Sequence, residues 1–307
     1  MGKINKRKTG VWKTMKVLNY GSLNIDYVYD VDHFVQGGET MASLDMNVFS
    51  GGKGLNQSVA LGKSGVETYH AGAVGAQDGE FLLDQLKAAG VSTEYVQHTE
   101  GATGHAIIQK DRSGQNCILL YGGANQKIRR EDVDKTLEIF EAGDYLVLQN
   151  EISENKYIME KAHEKGMKIA LNPSPMNEKI LELPLEYVDM FLLNEVEAAQ
   201  ICGHEGNEQD LLKEITARFP KAVIILTLGG NGSMYHDEKE TFTQPIVPTK
   251  VEDTTAAGDT FTGYLIGSLV RGYDAKTSMA YAAKAASIAV SRKGAAPSIP
   301  SAEEVFE

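Results

Sequence analysis

The chain has 307 residues, is 42% hydrophobic and carries a formal net charge of -12. That length suits one large α/β domain with an ample core, and the acidic balance argues against nucleic acid or an anionic membrane surface as the main partner. Cys117 and Cys202 are the only cysteines, which leaves no disulfide framework and no paired metal motif and fits a reducing, cytoplasmic setting.

Residues 1–15 contain Lys3, Lys6, Arg7, Lys8 and Lys13 with no acid and no apolar core of a secretory signal. They are expected to form a disordered basic tail, with Met15 a candidate start for a domain spanning 16–307. No window has the uninterrupted apolar length needed to span a bilayer. Order is predicted from Lys16 to Ser22, a short strand and a Gly-Ser turn, with Asn24 and Asp26 at its carboxyl end, where open α/β sheets place ligands. Strands follow at Tyr27–Val31 and Asp45–Phe49. Gly51-Gly52-Lys53-Gly54-Leu55-Asn56-Gln57 is then a glycine-rich loop running into the helical pattern of Val59, Ala60 and Leu61.

Val66–Val74 reads as a buried strand, and Phe81, Leu82, Leu83 and Leu86 give a helix its apolar face. His105–Lys110 and Gln115–Tyr121, joined through Asp111-Arg112-Ser113-Gly114, form a predicted hairpin. With the earlier 27–49 segment, the 101–122 segment is expected to make a small separate sheet. The remainder alternates strand and helix, with strands at Asp144–Leu148, Lys168–Leu171, Met190–Leu193 and Val223–Leu228. Helices are expected at Ser153–Lys165, Glu195–Cys202 and Asp210–Phe219, then at Gly258–Val270 and Asp274–Val290. Such alternation implies a mostly parallel sheet in a three-layer α/β/α arrangement. Polar residues follow the strands at Asn150-Glu151, Asn172, Asn194 and Gly229-Gly230, which suggests one shared cleft.

The stretch Val251–Phe261 passes from an acidic turn through Ala256-Ala257-Gly258 to Asp259 and a helix. Small residues there allow backbone N–H groups to approach an anion, and the helix dipole favours negative charge. Asp259 is a candidate general base; capping a helix is the alternative use of an Asp at such a place. No Gly-x-x-x-x-Gly-Lys-Ser/Thr loop is present, and no Gly-x-Gly-x-x-Gly follows the first strand, so P-loop and dinucleotide-binding readings fail.

The Gly51–Gln57 loop and Asp253–Thr260, with Asn24-x-Asp26 and Asn194-x-x-Glu197 between the expected strands, resemble the ribokinase-like carbohydrate kinase family from Lys16 onward. The resemblance implies a three-layer α/β/α fold with a lid formed by 27–49 and 101–122, often paired between subunits as a homodimer. It also implies transfer of the γ-phosphoryl group of ATP to a primary hydroxyl of a small sugar, ribose and its 5-hydroxyl leading. Another pentose, a fructose-type sugar or a nucleoside is the alternative, and a non-catalytic sensor on the same fold a remoter one.

Residue by residue, the resemblance assigns sugar contacts to Asn24, Asp26, Gly52, Lys53, Asn56 and Glu151. His105 could face the sugar or solvent. It assigns the base to Asp259 and the anion hole to the backbone of Ala256, Ala257 and Gly258. Asn194, Thr227, Gly229, Gly230, Asn231, Gly232, Gly258 and Ala283 would meet ATP, and Glu197 would act on Mg2+ through water. Asp253, Thr255, Ala289, Arg292, Gly294 and Ser298 would surround an activating K+, mostly through backbone carbonyls.

Overall fold

The computed structural model describes residues 15–307, so the expected basic tail lies outside the described residues except for Met15, which packs half-buried against the core. Val17–Tyr20 (β1) is buried at every residue, as a strand covered on both faces requires. Asn24–Asp30 (β2) and Asp45–Gly51 (β3) leave it for a second sheet, and Lys53–Lys63 (α1) returns to the first. Thr68–Gly75 (β4), Glu80–Ala88 (α2) and Ser92–Thr99 (β5) come next, then Gly104–Lys110 (β6) and Asn116–Tyr121 (β7). Arg130–Leu137 (α3), Tyr145–Leu148 (β8), Asn155–Glu164 (α4) and Lys168–Leu171 (β9) begin the alternating half. It continues with Met190–Asn194 (β10), Glu195–Cys202 (α5), Glu208–Arg218 (α6) and Val223–Thr227 (β11). Ser233–His236 (β12), Thr241–Gln244 (β13), Ala257–Val270 (α7), Ala275–Val290 (α8) and Ala302–Phe306 (α9) complete the chain.

Among the described residues the main sheet has nine strands in the order β13-β12-β11-β10-β9-β8-β1-β4-β5. It is parallel from β11 to β5, and β12 pairs antiparallel with both β11 and β13, so it alone runs against the rest. Alternate residues point to opposite faces of a strand. Leu18, Tyr20, Leu146 and Leu148 accordingly pack with apolar residues of α3 to α6, whereas Val17, Tyr145 and Val147 pack with α7 and α8. This is the expected three-layer architecture.

Helix α7 lies close to α1 because two of its glycines face small residues. A methyl group at Gly263 would sit 2.3 Å from the Ala60 Cβ, and one at Gly267 would sit 2.1 Å from the Ser64 Oγ. Tyr264 between them is fully buried, and its hydroxyl donates to the Pro300 carbonyl at 2.6 Å, satisfying the polar end of a large buried ring.

The second sheet has the order β3-β2-β6-β7, with β2 and β6 parallel and both outer pairs antiparallel. It corrects the sequence boundaries: its strands begin at Asn24 and run to Gly51, so Asn24 and Asp26 belong to this sheet rather than to the turn after β1. Cys117 is exposed on β7. Strands β5, β12 and β13 and helices α3 and α9 were not anticipated. The strands lie at or near a sheet edge, and an edge strand does not need a continuous apolar run. Asn150 and Asn155 also depart from expectation. Asn150 turns its amide to the Pro175 carbonyl at 2.7 Å, and α4 starts two residues later than the sequence pattern suggests, at Asn155.

Candidate active site

Strands β1, β8, β9, β10 and β11 are parallel neighbours, so their carboxyl ends share one edge. Open α/β sheets bind ligands in that position. Three groups of side chains converge there.

On the lid side, the Asn24 Oδ1 accepts from the Asn125 Nδ2 at 2.7 Å, and Asn125 is itself fixed by the Leu23 N–H at 3.0 Å. That leaves the Asn24 amide nitrogen as its remaining donor. Gly104 must be glycine for this contact, since a methyl group there would lie 2.5 Å from the Asn24 Oδ1. Asp26 lies over Gly51, where a methyl group would come within 2.0 Å of its carboxylate. Burial first, and the charge of Glu151 second, push the Asp26 pKa up to about 7.

Glu151 follows β8. Its Oε2 accepts from the Ser22 hydroxyl and from the Lys53 N–H, the latter at 2.9 Å. Burial raises its pKa, against the opposing pull of Ser22 and Lys53. Lys53 opens α1 and is half-buried. Burial alone would lower its pKa, but the carboxylates of Asp259, Glu151 and Glu197 outweigh that and hold the ammonium charged.

Asp259 stands in the first turn of α7, only 7% exposed. Its Oδ1 accepts from the Gln57 Nε2 at 2.9 Å and its Oδ2 from the Asn56 Nδ2 at 3.1 Å. The carboxylate therefore does not cap its own helix: α7 has no side-chain cap, and its N-cap is Ala256 with φ 59°. A left-handed alanine is strained by about 1–2 kcal/mol. One N–H of the Asn56 amide is held by Asp259, which leaves its second N–H and its Oδ1, an atom without a partner.

Against Ala257, Gly258 and Phe261, the neighbours of Asp259 on α7, a cavity of about 340 Å³ is lined by Thr227, Gly229, Gly230, Gly232 and Ala283, with apolar walls from Ile246, Val247, Val251 and Val290. Asn194 and Asn231, expected beside them, do not line it. Asn194 is the N-cap of α5: its Oδ1 accepts from the Glu197 N–H at 2.8 Å while the Glu197 Oε2 accepts from the Asn194 N–H at 3.0 Å. The reciprocal cap uses one carboxylate oxygen of the buried Glu197. A larger cavity of about 700 Å³ runs between Met176–Leu181 and α5, and no expected site residue lines it. Size is a poor guide here; the smaller one is lined by six of the eight residues expected to meet ATP.

Behind the Ala256 turn, the Asp253 Oδ1 accepts from the Thr255 N–H at 2.9 Å and from its hydroxyl at 2.6 Å, and the Oδ2 accepts from the Gly294 N–H at 3.0 Å. Although burial opposes it, these bonds and the Lys110 charge hold the Asp253 carboxyl below its usual range. The Ala289 carbonyl takes the Arg292 N–H at 3.1 Å, and Ser298 is buried with its hydroxyl on the Ala295 carbonyl at 2.7 Å. The Arg292 side chain pairs with Glu304, so only its backbone is free to serve an ion.

His105 packs between Tyr27 and Tyr121 with its Nδ1 on the Thr103 carbonyl at 3.1 Å, which accounts for it without a ligand. Sequence reasoning missed Asn19, Ser22, Gln57, Asn125 and Gln149, which hold the assigned residues in place. A polar Asn19 inside the otherwise apolar run Val17–Tyr20 was the available signal.

A nine-stranded α/β/α layer with a four-stranded sheet beside its ligand edge defines a class of small-molecule kinases. The same architecture occurs in the ribokinase of Arabidopsis thaliana complexed with ribose and ATP, which matches with a TM-score of 0.85 and 27% identity over 95% of this chain and 98% of that one. The chain belongs to the pfkB family of carbohydrate kinases, whose sequence pattern matches residues 14–302. It is 34% identical to a ribokinase of Staphylococcus aureus over 95% of its own length and 99% of that protein's. It is 35% identical to the bifunctional ribokinase/ribose-5-phosphate isomerase A of Fructilactobacillus sanfranciscensis, spanning 95% of this chain and 55% of that protein.

Proposed function

We propose that the protein transfers the γ-phosphoryl group of ATP to the primary 5-hydroxyl of ribose. The observation that carries this reading is Asp259, held on both oxygens by α1, close enough to Lys53 to act on its charge, and in the helix turn whose Ala257, Gly258 and Phe261 line the 340 Å³ cavity. Asn24 and Asp26 suit neighbouring hydroxyls, since an amide donates and a carboxylate accepts. Glu151 and Lys53 close the opposite side.

Asp259 takes the proton of the attacking hydroxyl as the oxygen approaches phosphorus. The backbone N–H groups of Ala256, Ala257 and Gly258 stabilise charge on the moving phosphoryl group, that of Ala257 turning to it from the Thr254 carbonyl at 3.2 Å. The ATP phosphates lie along Gly229, Gly230 and Gly232, and the purine rests on the apolar walls near Ala283. Phosphoryl transfer gains most from such in-line positioning.

Among the described residues, no group of three or more His, Cys, Asp or Glu side chains could hold a metal. One Glu197 oxygen remains beyond its cap, a donor set that fits a Mg2+ ion bound mainly by phosphate and water. Bound there, it would neutralise phosphate charge. Asp253 and Thr255, with the backbone carbonyls of Ala289, Arg292, Gly294 and Ser298, would supply an oxygen-only set suited to K+.

The lid's exposed Met46, Val48, Ile118, Leu119 and Tyr121 support a homodimer formed through this sheet. A cytoplasmic setting is part of the proposal; among the described residues no helix is long and apolar enough to cross a membrane.

The deciding experiment measures ADP release with ATP and Mg2+ against ribose, other pentoses, fructose and nucleosides, with and without K+. Ribose is expected to give the highest kcat/KM. A better nucleoside or hexose would displace ribose, and no turnover with any acceptor would overturn the kinase reading.

A further inference from the structure

Beneath the site lies a buried chain of amides that the phosphoryl transfer described above does not use. Gln57 and Asn19 are 0% exposed and Gln149 1%. Burying such groups costs free energy unless each is hydrogen-bonded, and an apolar replacement is often as stable. Their persistence under a reactive carboxylate calls for a reason, and the directions of their hydrogen bonds supply one.

An amide can face either way, so something must set its orientation. The Asn19 Nδ2 donates to the Gly54 carbonyl at 2.8 Å, an acceptor that cannot be reversed. Asn19 is thereby oriented with its Oδ1 toward Gln149, whose Nε2 donates to it at 2.9 Å. The same Gln149 nitrogen donates to the Gln57 Oε1 at 2.7 Å. Gln57 then has only its Nε2 to offer Asp259, and it donates to the Oδ1 at 2.9 Å, with a longer bond to the Asn172 Oδ1 at 3.4 Å that requires the same orientation. A reversed Gln57 would set oxygen against carboxylate at one end and nitrogen against nitrogen at the other. Asn56 fixes the second carboxylate oxygen from the same turn of α1.

We propose that Gln57 is a positioning residue for phosphoryl transfer: oriented through Gln149 and Asn19 from the Gly54 carbonyl, it locks the Asp259 carboxylate in the rotamer that faces the acceptor hydroxyl. This rests on Asp259 being the base. Gln57 is fully buried, out of reach of a substrate, and its effect on turnover passes through Asp259.

The test compares Gln57→Leu, Asp259→Asn and Gln57→Leu/Asp259→Asn, with the double variant Gln57→Leu/Gln149→Leu removing the Gln149 amide that Gln57→Leu would leave facing a leucine. Steady-state kinetics with ribose and ATP are measured on each folded protein. Loss of Gln57 is expected to lower kcat about 10- to 100-fold, the scale of a small misplacement of a reacting group, with KM for both substrates little changed. In the Asp259→Asn background, Gln57→Leu should cause no further loss. Unchanged kcat in either Gln57→Leu form overturns the proposal. So does an equal additional loss in the Asp259→Asn background, because a merely structural residue would act there too. Near-wild-type turnover in Asp259→Asn alone overturns the base reading itself, a result obtained without touching Gln57.

Discussion

Gly263 of α7 and Ala60 of α1 meet so closely that a methyl group on the glycine would lie 2.3 Å from the alanine Cβ and 2.9 Å from the Leu61 nitrogen. The contact sets the spacing at which Asn56 and Gln57 reach Asp259. Gly263→Ala gains roughly 1 kcal/mol of helix propensity, but overpacking a core typically costs about 1–3 kcal/mol. Backbone stands in the way here, so the cost should win. We expect a lower urea midpoint and reduced kcat; greater stability with unchanged kcat would show that the helices separate without moving the carboxylate.

Asp259→Asn removes the proton acceptor but keeps the side chain's shape. Turnover should fall about 10²–10⁴-fold. Calorimetry should still detect ATP and ribose binding. A loss of binding equal to the loss of turnover would assign Asp259 to ground-state binding instead.

The raised Asp26 pKa makes sugar binding depend on pH. In the free protein the carboxyl takes up a proton below about pH 7, while sugar hydroxyls donate to its ionised form. Ribose should therefore release a proton on binding near pH 6–7, and its affinity should rise with pH up to about 7 and then level. Titrations in buffers of different ionisation enthalpy measure the proton directly; no release at pH 6.5 contradicts the assignment. The same shift affects stability. Because the folded pKa lies above that of the unfolded chain, Asp26 favours folding at low pH, and this contribution is lost between about pH 4 and 7. Asp26→Asn should thus raise Tm more at pH 8 than at pH 4, while weakening ribose binding.

Ala256 carries a left-handed backbone, with φ 59°, at the point where α7 begins. Glycine accepts that conformation without the steric cost of a Cβ. Ala256→Gly should raise stability by up to about 1 kcal/mol, the strain of about 1–2 kcal/mol less the entropy glycine adds to the unfolded chain. A lower urea midpoint would mean that the alanine methyl packs more favourably than its backbone is strained.

Leu119, 68% exposed on β7, tests the lid as a dimer surface. Leu119→Lys should shift the sedimentation of the protein toward the monomer. A wild-type protein that sediments as a monomer at high concentration would remove the lid from consideration.

Much of the site was legible because its residues carry local signals. Gly51 to Asn56 and Asp253 to Asp259 combine glycines, small residues and charge at helix starts, and apolar periodicity set the strands and helices around them. The edge strands β5 and β13, and β12 beside β13, were not legible, since polar residues interrupt each of them and no unbroken apolar run marks them. Asn194-x-x-Glu197 was read for its chemistry, and the capping box it forms is equally written in that spacing.

The sequence alone determined the alternation that makes the parallel sheet, the loop that starts α1 and the carboxylate that starts α7, because each depends on neighbours within a few residues. Tertiary structure decided what those pieces do to one another. Asn24 and Asp26 became lid residues through pairing with β3 and β6, Asn56 turned its donor to Asp259 because Gly263 lets α7 approach, and Gln57 gained its orientation from Gln149, 92 positions away. Hydrogen-bond direction and burial are properties of groups brought together by folding, and spacing along the chain does not contain them.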